Sequence, residues 1–245
     1  MITYLLRRVG VSVIVLIGIS ILTFTLLHVI YPSPAIDVLG PRTNAVLIHA
    51  WNKEHGFDQP VFVQYLKYVG HAVHGDFGWS YKLNQSVASL FAQRWARSAF
   101  LTGSALLLAI LLAIPLGIYQ AVKRNSTGDA TLGAVAFVLY AMPDYFFYLI
   151  VIQLFVFALP LFSYEASQSD SVFQVMLDWR GMTLPIVGYA LLIVAGYSRY
   201  MRSQAIDTLA QDYIKAARAK GLPEHLVLFR HLARNACLPM VTLIG

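Results

Sequence analysis

Residues 98–122 read SAFLTGSALLLAILLAIPLGIYQAV, a stretch without one charged side chain between Arg97 and Lys123. A helix that crosses roughly 30 Å of hydrocarbon needs about 20 apolar residues at 1.5 Å each, because unpaired backbone groups are intolerable there. This stretch meets the requirement, and others accompany it. Val9 to Tyr31 is apolar after Arg8 and is closed by Pro32 and Pro34. It is too long for a signal-peptide core and no small-residue cleavage site precedes Pro32, so it reads as a retained helix. A third stretch opens after Asp129 and runs to about Leu161, long enough to tilt or to kink at Pro143. A fourth lies between Arg180 and Arg199. A fifth begins near Ala236 with room for about 15 Å of helix before Gly245, so the C-terminal spans of the bundle are expected to be missing from this sequence.

Composition points the same way. The 245 residues are 58% hydrophobic and 12% charged, with a mean hydropathy of +0.63, whereas soluble chains carry roughly a quarter charged residues. A disordered tail, a collagen-like fibre and a disulfide scaffold are excluded, since apolar content is high, glycine has no period and Cys237 is the one cysteine. The formal charge of +6 fits the basic excess of cytoplasmic loops on a lipid bilayer, and no nucleic-acid partner is expected. The expected fold is an all-α integral membrane protein, a polytopic helical bundle. Its parts are residues 1–31 (N-terminus and first transmembrane helix), 32–97 (a small extracytoplasmic segment) and 98–245 (the core).

Lysine and arginine set the orientation. Arg7 and Arg8 precede the first span, Lys123 and Arg124 separate the second from the third, and Arg199, Arg202, Lys215, Arg218, Lys220, Arg230 and Arg234 follow the fourth. These segments fall on one side, which the positive-inside rule makes cytoplasmic, N-terminus included. The short loop opposite sets Arg180 against Glu165, Asp170 and Asp178. The long segment 32–97 holds Arg42, Lys53, Lys67, Lys82, Arg94 and Arg97, but long loops obey the rule weakly. Within it Phe62, Tyr65, Leu66 and Val69 recur at helical spacing and predict a helix over Val61 to His74.

The cytoplasmic loop, about 199–235, carries the most information. Its first part is rich in helix formers, with Asp207 and Asp212 early and Arg218 and Lys220 late, complementing the helix dipole. Gly221 is a natural stop, Pro223 can occupy the first turn of a second helix and Glu224 suits its N-terminus, so the segment reads as two helices around a tight corner. Ala216, Ala217 and Ala219 leave one side of the first helix nearly smooth, open to the close approach of a partner surface. The alternative is an amphipathic pair resting on lipid headgroups.

At these residues the chain resembles the ABC importer permeases. Ala216-Ala217, three residues, then Gly221 is similar to their cytoplasmic signature, and Arg234-Asn235-Ala236-Cys237-Leu238-Pro239 to its continuation in the peptide-importer branch. Leu5 to Arg8, Gly18 to Phe24, Gly56 to Pro60, Gly75 to Ser80 and Ile114 to Gly117 resemble that branch in order, and the likeness covers essentially the whole chain. It is that of the B-type permease subunit of dipeptide and oligopeptide importers. The resemblance implies the type I importer permease fold and an ATP-driven import subunit in the cytoplasmic (inner) membrane. It further implies a second, related permease as partner, an extracytoplasmic substrate-binding protein, and two ATP-binding subunits that hold ATP and Mg. Asp212, Ala216, Ala217, Gly221, Leu222 and Glu224 would form the coupling helix lodged in the ATPase. Lys215 stands where the general family signature has an acid, so no carboxylate role is carried over to it.

The chain has no Gly-x4-Gly-Lys-Ser/Thr loop, so it is not the ATPase and needs no cofactor of its own. No His-Glu-x-x-His and no Gly-x-Ser-x-Gly is present, which argues against an intramembrane hydrolase. Asp144 lies in the third stretch beside Pro143, and an acid there raises a functional question because unpaired charge in a membrane is costly. With Tyr140 and Tyr145 it could meet a peptide ammonium on the substrate path; the other reading is that it is protonated, pairs with another helix or sits nearer an interface. His71, His74 and Asp76 lack a further ligand and read as structural rather than metal-binding. His28 is expected to hydrogen-bond at an interface or between helices, and Cys237 to pack as a small residue. Trp51, Trp79 and Trp95 are expected to be interface anchors. Nickel or another small solute stays open as cargo, as does an ATP-independent channel or secondary transporter.

Overall fold

Helix α1 covers Ile2–Ile30, close to the expected first span. The computed structural model describes residues 2–31, 33–169 and 171–244, so Pro32 and Asp170, used above as a helix stop and a loop charge, lie outside the described residues. Contacts divide the chain into two units, Met1–Gln93 and Arg94–Gly245.

In the first unit, α1 is followed by α2 (Ala35–Leu39), α3 (Ala45–His55) and α4 (Val61–Val73). The sequence accounts for the ends of α3. The Asn44 side chain accepts from the Leu47 N–H at 2.9 Å, and Gly56 takes φ +77 at its close. The aromatic spacing noted on α4 serves α1: the Tyr65 hydroxyl meets Ser20 Oγ at 2.7 Å, and the Phe24 ring lies 5.4 Å from Tyr65 and 5.9 Å from Tyr68. A short antiparallel hairpin, β1 (Trp79–Ser80) with β2 (Gln85–Ser86), turns through Asn84.

Helix α5, Val87–Val122, contains the quoted stretch but starts well before Ser98. Charge marks where hydrocarbon ends, not where a helix ends, and Arg97 inside α5 bonds the Ser167 carbonyl and Gln168 Oε1 at 3.4 and 3.2 Å. The second unit continues with α6 (Thr127–Ala141), α7 (Asp144–Ile152, prolonged by π-helical Gln153–Ala158), α8 (Val172–Leu177) and α9 (Trp179–Leu209). Then come α10 (Asp212–Ala219), α11 (Glu224–Leu226), π-helical Val227–Ala233, α12 (Arg234–Ala236) and α13 (Leu238–Ile244). Among the described residues α1, α5 and α9 are long and apolar enough to cross a membrane, and α6 with α7 makes a further crossing if the bent pair counts as one.

That pair corrects the third expected span. Its halves are bent by 105°. Pro143, with no N–H and φ −58, stands as the N-cap of α7 rather than as a kink inside one helix.

Packing in this unit uses small residues. Ala105, Ala109, Ala113, Gly117 and Ala121 recur every fourth position of α5 and are all buried, so they form one stripe. Ala105 and Ala109 pack with Ala190 and Val194 of α9. At Gly117 the two backbones nearly touch: a Cβ there would lie 2.6 Å from Met201 Cβ and 2.8 Å from the Ser198 carbonyl oxygen. Lipid tails are as apolar as leucine, so such close van der Waals contact is what holds spans together. Gly117→Ala is expected to cost about 1–3 kcal/mol by overpacking, read by denaturation in detergent. Gly103→Ala on the same helix, where a Cβ meets nothing within 4 Å, is expected to be neutral or stabilising.

Candidate functional site

The loop expected to begin at Arg199 begins later, because α9 runs unbroken to Leu209. Asp207 therefore belongs to the spanning helix, and α10 starts afresh at Asp212 after the turn at Ala210 and Gln211. Asp212 sits in the first turn and receives the Lys215 Nζ at 2.9 Å, while its side chain stays fully in solvent.

The corner is closed as the Gly221 reading requires. Gly221 adopts φ +75; its N–H donates to the Arg218 carbonyl at 2.9 Å and the Leu222 N–H to the Ala217 carbonyl at 3.3 Å. These are the two bonds of a Schellman cap, which satisfies carbonyls that the helix end would leave bare. Pro223 is the N-cap of α11 and Glu224 its first residue, one position later than a proline in the first turn. Across the corner Arg218 donates to Glu224 twice, at 2.6 and 3.2 Å. The guanidinium holds the Glu224 carboxyl below its ordinary value of 4.5 against a smaller opposing effect of burial. A depressed carboxyl stabilises above its unfolded value and stops doing so as pH falls through the folded one, so the pair is intact throughout the neutral range. Both side chains are about half exposed, and such a pair contributes about 0.2–1 kcal/mol.

The smooth alanine face is split by the fold. Ala217, 6% exposed, and Ile214, 0% exposed, point into a core with Met201, Ala205, Val227, Leu232, Ala236 and Met240. Ala216 and Ala219 face outward with Leu222. Three alanines in sequence cannot announce which of them the core will take; only the apolar partners across the corner decide it. Tyr213 ties α10 to α12 by accepting from Asn235 Nδ2 at 3.1 Å. Cys237 packs partly buried beside this core.

Tyr140, Asp144 and Tyr145 are all exposed but do not share a helical face. Tyr140 ends α6, where its ring carries the Arg199 guanidinium at 5.2 Å. Asp144 and Tyr145 open α7 beyond the bend. Asp144 is thus at a helix N-terminus, not deep inside a continuous span, and there the helix dipole favours a negative charge.

A buried ion pair joins residues far apart in the sequence. Asp129, 6% exposed, receives Arg202 Nε on Oδ1 and Arg202 NH2 on Oδ2, each at 2.7 Å. Its Oδ2 also accepts the Asn125 N–H at 3.0 Å, and its own N–H donates to the N-cap Ser126 Oγ at 3.2 Å. Gln120 completes the set from α5, its Nε2 lying 3.4 Å from the Asp129 carbonyl and 3.5 Å from Oδ1. One carboxylate thereby joins α5, the α5–α6 turn, α6 and α9. The available signal was Ser126 three residues before Asp129, an N-cap pattern; nothing pointed to Arg202 as partner.

In the first unit, the His71 Nδ1 pairs with Asp76 Oδ2 at 3.1 Å, whereas the His74 Nδ1 turns to the Gly70 carbonyl at 2.8 Å. Among the described residues no group of three histidine, cysteine or acidic side chains is placed to hold a metal. His28 stacks on Phe24 of its own helix at 5.3 Å. Trp51 stacks on His55 and Phe57, at 4.0 and 5.5 Å, while Trp79 and Trp95 are exposed.

Asp129→Asn is expected to lower stability by about 1–3 kcal/mol, since it leaves the partly buried Arg202 guanidinium without its counter-charge. Asp129→Leu combined with Arg202→Met is expected to recover most of that loss, and a double-mutant cycle in detergent checks both.

Residues 113–245 match the family described as "Binding-protein-dependent transport system inner membrane component", and residues 1–102 match "Binding-prot-dependent transport system membrane comp, N-term". The chain is 33% identical over 247 residues to the oligopeptide transport system permease protein AppB of Bacillus subtilis (strain 168), covering 100% of this chain and 78% of that protein. It is 31% identical over 245 residues to the glutathione transport system permease protein GsiC of Escherichia coli (strain K12), covering 100% and 77%. It is 33% identical over 268 residues to the dipeptide transport system permease protein DppB of the same strain, covering 100% and 79%. The chain therefore belongs to the binding-protein-dependent transport system inner membrane component family, as a multi-pass membrane permease with the helical architecture of the type I ABC importers that works in a complex with other subunits.

Proposed function

We propose that this subunit imports peptides across the cytoplasmic membrane, driven by ATP and Mg bound on two partner ATPases. The observation that carries the coupling is the corner of α10 and α11. It is rigidly capped at Gly221, cross-braced by Arg218 and Glu224, and joined through one short turn to the spanning helix α9. Closure of the two ATPases would draw their grooves together, and a stiff corner in each groove would carry that motion into the spans, opening a midplane path alternately to each side. The outward surface offered to such a groove is Asp212, Ala216, Leu222 and Glu224, with Ala217 as the inward anchor.

The peptide assignment draws on relatives that are named for oligopeptide, dipeptide and glutathione transport. A second, related permease and an extracytoplasmic binding protein complete the proposed assembly. The cytoplasmic N-terminus follows from the basic residues Arg7, Arg8, Lys123 and Arg124 on one side of the spans. The solute path is assigned to the bend of α6 and α7, where Tyr140, Asp144 and Tyr145 are exposed.

The test is uptake of a labelled peptide by membrane vesicles holding the complete transporter. Uptake is expected to require ATP and to fall at least about tenfold with Ala216→Trp, a loss of the size that misplacement of a coupled element can produce. Binding-protein capture and subunit abundance should not change, because Ala216 has no part in the core. ATP-independent flux would make the protein a channel or secondary transporter, and full uptake by Ala216→Trp would remove docking from this face.

A further inference from the structure

A cleft of about 770 Å³ opens between α5, α6 and α9. Gln120, Gly133, Tyr140, Gly196, Arg199 and Tyr200 line it, with Asp129 and Arg202 at one end. The two glycines leave the space open: a Cβ at Gly196 would meet nothing within 4 Å, and one at Gly133 only Gln120 Nε2 at 3.9 Å. The charges in it do not cancel. Both Asp129 oxygens are engaged by Arg202 at 2.7 Å, so that pair is neutral and closed to other cations. Arg199, one turn earlier on α9, has no carboxylate beside it among the described residues; its contact is the Tyr140 ring face at 5.2 Å.

That contact turns the guanidinium from its place near the end of α9 toward the later part of α6. Tyr140 lies about 16 Å along α6 beyond Asp129 at 1.5 Å per residue. Arg199 is exposed to the cleft, and an ionisable side chain on a spanning helix that faces a cavity marks a substrate pathway. A cation–π contact engages the guanidinium through its charge and uses none of its N–H donors for a hydrogen bond. A fork of this geometry receives a carboxylate through two parallel bonds.

We infer that Arg199, laid on Tyr140, receives the terminal carboxylate of the peptide in transit through this cleft. The inference rests on the peptide reading above and deepens it. The carboxylate is the anionic group that every unmodified linear peptide carries, so one arginine would serve peptides of differing side chains. The Tyr140 and Tyr200 hydroxyls and the Gln120 amide supply further polar groups on the same wall.

The experiment compares uptake of a neutral-side-chain tripeptide and of its C-terminal amide by proteoliposomes containing the complete transporter, with wild-type, Arg199→Gln and Arg199→Lys subunits. A preference of the binding protein is the same in every arm and cancels from the ratio. Arg199→Gln is expected to reduce the kcat/KM for the free acid at least about tenfold, as loss of a hydrogen bond to a charged group does, and to leave that for the amide within about twofold. Arg199→Lys keeps the charge and is expected to keep the preference for the acid. Equal loss of both peptides, the result of a structural or headgroup-anchoring role, overturns the assignment, as does no loss of either, or a lysine variant that takes both alike. Absence of ATP-driven uptake of both peptides by the wild-type transporter would instead overturn the peptide reading, and this inference with it.

Discussion

Helices α5 and α9 meet backbone to backbone at Gly117, and the rest of the second unit is arranged around that contact. With no side chain between them, α9 is held where Arg202 can reach the carboxylate at the start of α6. Its C-terminal end stands where Met201 and Ala205 can roof the α10 corner. In water this close approach would be one of many ways to bury apolar surface. In lipid it is the main one, since helices gain nothing there by hiding leucines from hydrocarbon. The four-residue rhythm of alanine on α5 is therefore the sequence counterpart of the whole helix arrangement.

Two arginines one turn apart on α9 meet different fates for the same electrostatic reason. Arg202 finds a carboxylate that is already partly desolvated and is neutralised by it, so it becomes a structural joint. Arg199 meets an aromatic ring, which attracts the cation but supplies no opposite charge, and no carboxylate stands beside it among the described residues. The first arrangement favours permanence and the second favours exchange. A permease needs both within a few ångströms, because the path must hold its shape while the solute comes and goes.

The spans were legible in sequence because hydropathy and length are local properties, and the capped corner because Gly221 and Pro223 act within a few residues. Helix α4 was legible from the spacing of its aromatics. Four features were not. The bend at Pro143 looked like a kink, since a proline that interrupts a helix and one that starts the next have the same neighbours until the angle between the pieces is known. The inward turn of Ala217 depended on Val227 and Leu232 beyond the corner. The pairing of Asp129 with Arg202 joined residues far apart in the chain, and a formal charge in a list does not name its partner. The early start of α5 was hidden for the opposite reason: Arg94 and Arg97 suggested a boundary that a helix need not respect.

The break between α6 and α7 has a consequence for the bilayer itself. Met142 closes α6 by donating to Val138, and the Pro143 carbonyl accepts from Phe146 and Phe147, but a bend of 105° separates the remaining end groups of both helices from the partners that a continuous helix would give them. Acyl chains offer neither donors nor acceptors, so these peptide groups, about 22 Å along α6 from its start, call for water or for polar groups of neighbouring protein. Where the bent pair crosses as one span, it carries a polar notch that water or a neighbouring helix must fill. A charged solute crossing beside it would shed its solvent shell gradually rather than all at once.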